Sequence, residues 1–128
     1  GQCRELGVEV ESILVSDTVN MVKIDNIVKE KVDLIKIDIE GAEYNALKGS
    51  INTIKNSLPI IFSEFTPTAM PSVCGITWDD YLNFIVNLGY EISVINKELI
   101  HCEQDIDKVY KIFKKEGKDH LDLIFYKK

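Results

Sequence analysis

Apolar and polar positions alternate between two periods along this chain, and the switch from one to the other is sharpest at its centre. Residues 32–39 read Val-Asp-Leu-Ile-Lys-Ile-Asp-Ile, an aliphatic run too short for a helix that places Leu34, Lys36 and Asp38 on one face and Ile35, Ile37 and Ile39 on the other. After the acidic turn Glu40-Gly41, the apolar residues Tyr44, Leu47, Ile51, Ile54 and Leu58 recur at helical spacing and predict a helix over 42–56. A strand therefore feeds a helix, and polar side chains at the carboxyl end of such a strand face the crevice where α/β sheets bind ligands. Asp38, Glu40 and Glu43 are the side chains so placed.

The same periodicities divide the rest of the chain. Residues 8–15 predict a strand, 16–18 a turn and 19–24 a second extended run, after which Asp25 is positioned to cap a short turn of helix through Ile27 and Val28. Pro59 opens a strand over 59–65 at the position a strand tolerates it. Two strand–helix units in succession predict parallel pairing, which carries Glu64 to the same sheet edge as Asp38. Residues 66–75, with Pro67, Pro71 and Gly75, form the longest irregular stretch, expected as a loop over the strand ends. Thr77 and Asp80 have capping-box spacing before a helix that buries Trp78, Tyr81, Leu82, Ile85 and Leu88 and stops at Gly89. A strand over 90–95, a turn at Asn96-Lys97, a helix over 105–115 and a last strand over 121–126 complete the order, with the two strands expected as an antiparallel pair.

The run Lys36-Ile37-Asp38-Ile39-Glu40-Gly41-Ala42-Glu43, then Leu47-Lys48-Gly49 and Pro59-Ile60-Ile61-Phe62-Ser63-Glu64, resembles the core of the FkbM family of S-adenosylmethionine-dependent methyltransferases. Val22-Lys23-Ile24-Asp25-Asn26-Ile27 resembles the family's "LD" segment, with Ile24 in place of leucine. The resemblance implies an α/β fold equivalent to the second half of the Rossmann-like class I methyltransferase sheet, with parallel βαβ units and a C-terminal antiparallel strand pair. The cofactor-binding first half has no counterpart in residues 1–128, so the chain reads as a single partial domain of a longer parent. The implied reaction is methyl transfer from S-adenosylmethionine to a hydroxyl of a sugar or natural product. Asp38 and Glu40 are then the catalytic candidates, and Glu43 and Glu64 the substrate-binding ones. The expected partners are a small-molecule or saccharide acceptor and the N-terminal remainder of the parent domain. The cofactor-binding residues are unknown, and the isolated chain is expected to be inactive.

Each of these acids also has a plainer account. Lys36 in a buried strand would need a counterion, and Asp38 two residues on could form a purely structural pair with it. Glu40 and Glu43 could simply favour the positive end of the helix that follows. Two other functions compete: a non-catalytic module that retains a methyltransferase-like core, and a phosphoacceptor receiver in which Asp38 would be the target.

Composition narrows the field. Fifteen basic against 21 acidic residues give a net charge of −6, which disfavours a nucleic-acid-binding face. No apolar run approaches the length of a membrane span. The odd number of cysteines, Cys3, Cys74 and Cys102, fits reduced thiols and a cytoplasmic location. No glycine-rich phosphate loop is present, and His101 and His120 stand far apart without metal-ligand spacing. Asp38, Glu40 and Glu64 offer hard oxygens, but their spacing matches no dedicated cation loop, and no metal is expected.

Overall fold

The computed structural model describes residues 21–127. The strand expected over 8–15, the turn at 16–18 and the start of the extended run over 19–24 lie outside the described residues. Within them the elements are α1 (Ile24–Ile27), β1 (Leu34–Ile37), α2 (Glu43–Lys48), α3 (Ile51–Ser57), β2 (Ile60–Phe65), α4 (Met70–Cys74), α5 (Trp78–Asn87), β3 (Glu91–Ile95), β4 (Leu99–Glu103), α6 (Ile106–Glu116) and β5 (Leu121–Tyr126).

The five strands form one mixed sheet in the order β1-β2-β5-β3-β4. β1 and β2 run parallel, with Ile35 opposite Ile61 and Ile37 opposite Ser63. β5 enters antiparallel to both β2 and β3, and β4 folds back on β3. Both sheet expectations hold: the first two strands are parallel neighbours, and β3 and β5 are an antiparallel pair.

One face of the sheet carries the core. Ile37, Ile61, Phe65, Ile92, Val94, Leu121, Leu123 and Phe125 alternate onto it and join Ala46, Leu47, Ile54, Met70, Tyr81, Leu82, Ile85, Val109 and Phe113 from the helices in a single buried cluster. At about 25 cal/mol per Å² of apolar surface removed from water, each large side chain here contributes roughly 1.5–3 kcal/mol. Across the sheet the alternate positions are much less covered: Leu34 is 54% exposed and Ile60 45%. Helix packing on one face only gives two layers among the described residues.

That asymmetry corrects the reading of Lys36. It was expected in a buried strand, with Asp38 as one available counterion. Among the described residues β1 lies at the edge of the sheet with its outer face uncovered, and Lys36 is exposed. No ion pair joins it to Asp38; among the described residues the one ion pair is His120 with Asp119.

The long helix expected over 42–56 is two helices, broken at Gly49-Ser50. Ser50 turns its hydroxyl back onto the Ala46 carbonyl at 2.8 Å, which withdraws it from capping α3. The cap comes from elsewhere. Asp25, expected to cap its own turn, sits inside α1 and accepts from the Asn52 and Thr53 backbone N–H groups at 3.0 and 2.8 Å and from the Thr53 hydroxyl at 2.7 Å. The break also moves Leu58 off the buried stripe; it adopts φ +50° and is 51% exposed. Gly49 faces Lys23 with room for a methyl group rather than packing on the sheet.

Other local expectations hold with adjusted limits. Thr77 and Asp80 form the capping box of α5. Trp78, at its first position, is half-buried and stacks on Tyr110 of α6 with ring centres 4.1 Å apart. Asp105 caps α6 by accepting from the Lys108 N–H at 3.1 Å. The stretch over 66–75 is less irregular than expected, because Met70 is fully buried and anchors α4 over the sheet.

Candidate functional site

The site grows out of the turn between β1 and α2. Glu40 has φ +53° and Gly41 φ +100°. Only the second suits glycine alone, and an added Cβ at Gly41 would lie 3.0 Å from the Ala69 Cβ. A glutamate held left-handed stores of order 1 kcal/mol or more of strain, which persists only where the surroundings impose it. Here Glu43 imposes it. Its carboxylate accepts from the Ile39 N–H at 2.8 Å and the Gly41 N–H at 2.9 Å, and the side chain is fully buried. Burial raises its pKa above the ordinary carboxylate value, against the pull of those donors and with a smaller push from the Asp38 charge. Glu43, expected as a substrate contact, thus has both oxygens committed to the backbone of the turn that follows Asp38.

Beneath the strand ends a second buried contact fixes β2. Ser63, fully inside, meets the Tyr81 hydroxyl at 2.7 Å. Burial first, and then the nearby Glu43 charge, pushes the Tyr81 phenol upward against that hydrogen bond.

On the open face, parallel register sets the predicted acids together. Lys36 pairs with Phe62, so Asp38, two residues on, comes level with Glu64. Both line a cleft of about 260 Å³, together with Lys36, Phe62, Ile95 and Asp122. Burial, then hydrogen bonding and charge from Asp38, push the Glu64 carboxyl up to about 7, with Asp122 adding and His120 opposing. Two carboxyl groups this close hold one proton between them more readily than two charges.

The structure therefore brings Asp38 and Glu64 into one cleft. Glu40 is exposed on the turn, outside the cleft lining, and Glu43 lies buried beside that turn. Sequence reasoning passed over Asp122 and set His120 aside for want of metal-ligand spacing. Asp122 stands directly opposite Glu64 in the antiparallel β2–β5 pairing, and His120 is two residues earlier on the same side. Their spacing, His120-x-Asp122, is that of one strand face; what it faces depends on a pairing between elements nearly 60 residues apart, which the sequence pattern does not specify.

The cofactor implied by the resemblance needs a glycine turn left open to a ligand between a strand and a helix. The described residues do not supply it. Gly41 is closed by Ala69, while Gly75 and Gly117 end α4 and α6 as left-handed residues. No helix among the described residues is long and apolar enough to cross a membrane.

The family model for the methyltransferase FkbM domain aligns with residues 4–92, a span that includes the turn, the buried glutamate and both cleft acids from β1 and β2. No curated protein and no solved structure matches the chain.

Proposed function

This chain belongs to the FkbM methyltransferase domain family, and from that premise we propose that it supplies the acceptor side of an O-methyl-transfer site. In this reading Asp38 takes the proton of an acceptor hydroxyl, on a sugar or natural product, as that oxygen is methylated. S-adenosylmethionine serves as the methyl donor and is held by the remainder of the domain, outside the described residues. The observation that carries the proposal is the juxtaposition of Asp38 and Glu64 at the ends of adjacent parallel strands in one cleft.

The roles follow from the surroundings. A carboxylate beside the acceptor oxygen acts as a general base, worth typically 10²–10⁴-fold in rate. Glu64, holding a proton to about neutral pH, can donate to a hydroxyl oxygen while Asp38 accepts from another, so the pair orients a diol-like acceptor by two hydrogen bonds of opposite sense. Phe62 and Ile95 give the same cleft an apolar wall suited to the carbon face of a ring. Glu40 presents a second acid at the turn, and Glu43 positions both by fixing the backbone between them.

The test is product analysis. The intact protein is incubated with S-adenosylmethionine and a panel of glycosides, and the products are examined by mass spectrometry and NMR; an O-methyl ether is expected. No binding of S-adenosylmethionine by the intact protein, and no transfer to any hydroxyl, would instead support the non-catalytic module.

A further inference from the structure

Glu64 and Asp122 are register partners on antiparallel strands, which sets their Cβ atoms about 5 Å apart, and like charges directly opposite destabilise a sheet. His120 reaches the same place from the segment leading into β5. One ligand atom from each of Glu64, His120 and Asp122 lies within 4.8 Å of the others. We propose that these three side chains bind a divalent cation of the borderline class, such as zinc, at the ends of β2 and β5.

Three features support this set beyond its proximity. The donors are mixed, one imidazole and two carboxylates, the combination that suits zinc-class cations better than an all-oxygen cage. Glu64 and Asp122 come from the hydrogen-bonded strands β2 and β5, and His120 from the residue just before β5. Metal-bound oxygens and nitrogens about 2.0–2.2 Å from the ion lie roughly 3.3 Å apart in a tetrahedron, so binding requires the three side chains to draw in from their 4.8 Å spread. Behind the histidine, Asp119 Oδ1 stands 2.8 Å from Nδ1, leaving Nε2 as the ligating nitrogen. A carboxylate on the far nitrogen is the usual support of a metal-binding histidine, and removing it typically costs 10–100-fold in affinity.

The other described histidine is occupied differently. His101 Nδ1 lies in a network with Ser93 Oγ at 3.0 Å and the Tyr126 hydroxyl at 3.4 Å, on β4 rather than beside the acids. It serves as the internal control. The inference does not rest on methyl transfer, and a cation on Glu64 displaces the proton with which that carboxyl would donate to an acceptor, so the two roles exclude each other at that residue.

The experiment is calorimetric titration of the 128-residue chain with zinc chloride, paired with cobalt(II) absorption spectroscopy, on the wild type and on His120→Gln, Asp122→Asn, Asp119→Asn and His101→Gln. One equivalent with micromolar or tighter affinity is expected, falling at least 10-fold in His120→Gln and Asp122→Asn and by a similar factor in Asp119→Asn, with His101→Gln unchanged. Far-UV circular dichroism confirms that each variant is folded; these exchanges keep side-chain size at solvent-accessible positions. No saturable binding by the wild type would overturn the proposal. So would unchanged affinity in His120→Gln, or a cobalt–thiolate charge-transfer band, which would assign the metal to cysteine.

Discussion

Replacing Asp25 by alanine tests how the signature acid of the "LD" segment works. In the structure its carboxylate accepts three hydrogen bonds from α3, more than 25 residues away, while Ser50 at the start of that helix is turned back on Ala46. Loss of a capping side chain costs about 0.5–2 kcal/mol, and hydrogen bonds to a charged acceptor about 1.5–3 kcal/mol each where water cannot replace them. Asp25 is partly exposed, so water recovers much of the second figure, and the expected loss is about 2 kcal/mol. At roughly 4 °C per kcal/mol for a domain of this size, the melting temperature falls by about 8 °C. Asp25→Asn keeps an acceptor without the charge and should lose about half as much. The pH dependence has a definite sign. Burial raises the Asp25 pKa, but the Asn52 and Thr53 hydrogen bonds outweigh it and the net shift is below the ordinary 3.8. A depressed folded-state pKa contributes stability that is present above the unfolded value and is lost as pH falls through the folded one. The gap between wild type and Asp25→Ala should thus be full at pH 7 and shrink below about pH 3.8. Thermal unfolding followed by circular dichroism measures it, with the exposed Asp33→Ala as control. An Asp25→Ala protein within about 0.5 kcal/mol of wild type at pH 7 would refute the cap.

Further substitutions probe the turn and the open face. Gly41→Ala puts a Cβ where the backbone has φ +100° and Ala69 stands 3.0 Å away; a loss of at least about 2 kcal/mol is expected in urea denaturation, and a smaller one would mean the turn relaxes freely. Glu43→Ala orphans two backbone donors at about 1–3 kcal/mol each, partly offset by relief of a buried charge, so a net loss of about 2–4 kcal/mol should appear in the same assay. Lys36→Met, at an exposed position, should change stability by less than about 0.5 kcal/mol; a larger loss would restore the buried Lys36–Asp38 pair.

What the sequence made legible was local. The central strand, the acidic turn, the capping box of α5 and the individual strand segments are each specified by residues within a few positions of one another, and the parallel partnership that brings Glu64 to Asp38 follows from chain order. What escaped it depended on contacts between distant segments. The helix break at Gly49-Ser50 is invisible in an apolar stripe that continues from Leu47 through Ile51 to Ile54, because the cap that makes two helices possible comes from Asp25. Glu43 occupies a helix start either way; only the packed turn shows that its carboxylate is spent on backbone N–H groups. Lys36 was expected to be buried because the run around it is aliphatic, yet among the described residues its face of β1 is uncovered and it stands exposed. Asp122 and His120 joined the site through antiparallel pairing, which no short-range pattern encodes.

The central claim is that Asp38, at the end of β1, does chemistry. Methyl transfer from radiolabelled S-adenosylmethionine, measured for the intact protein and its Asp38→Asn variant with an acceptor found by product analysis, tests it most directly. The account predicts a fall in kcat of about 10²-fold or more, with the KM for S-adenosylmethionine and the melting temperature little changed. Turnover within a few-fold of wild type would contradict it and leave Asp38 a structural residue.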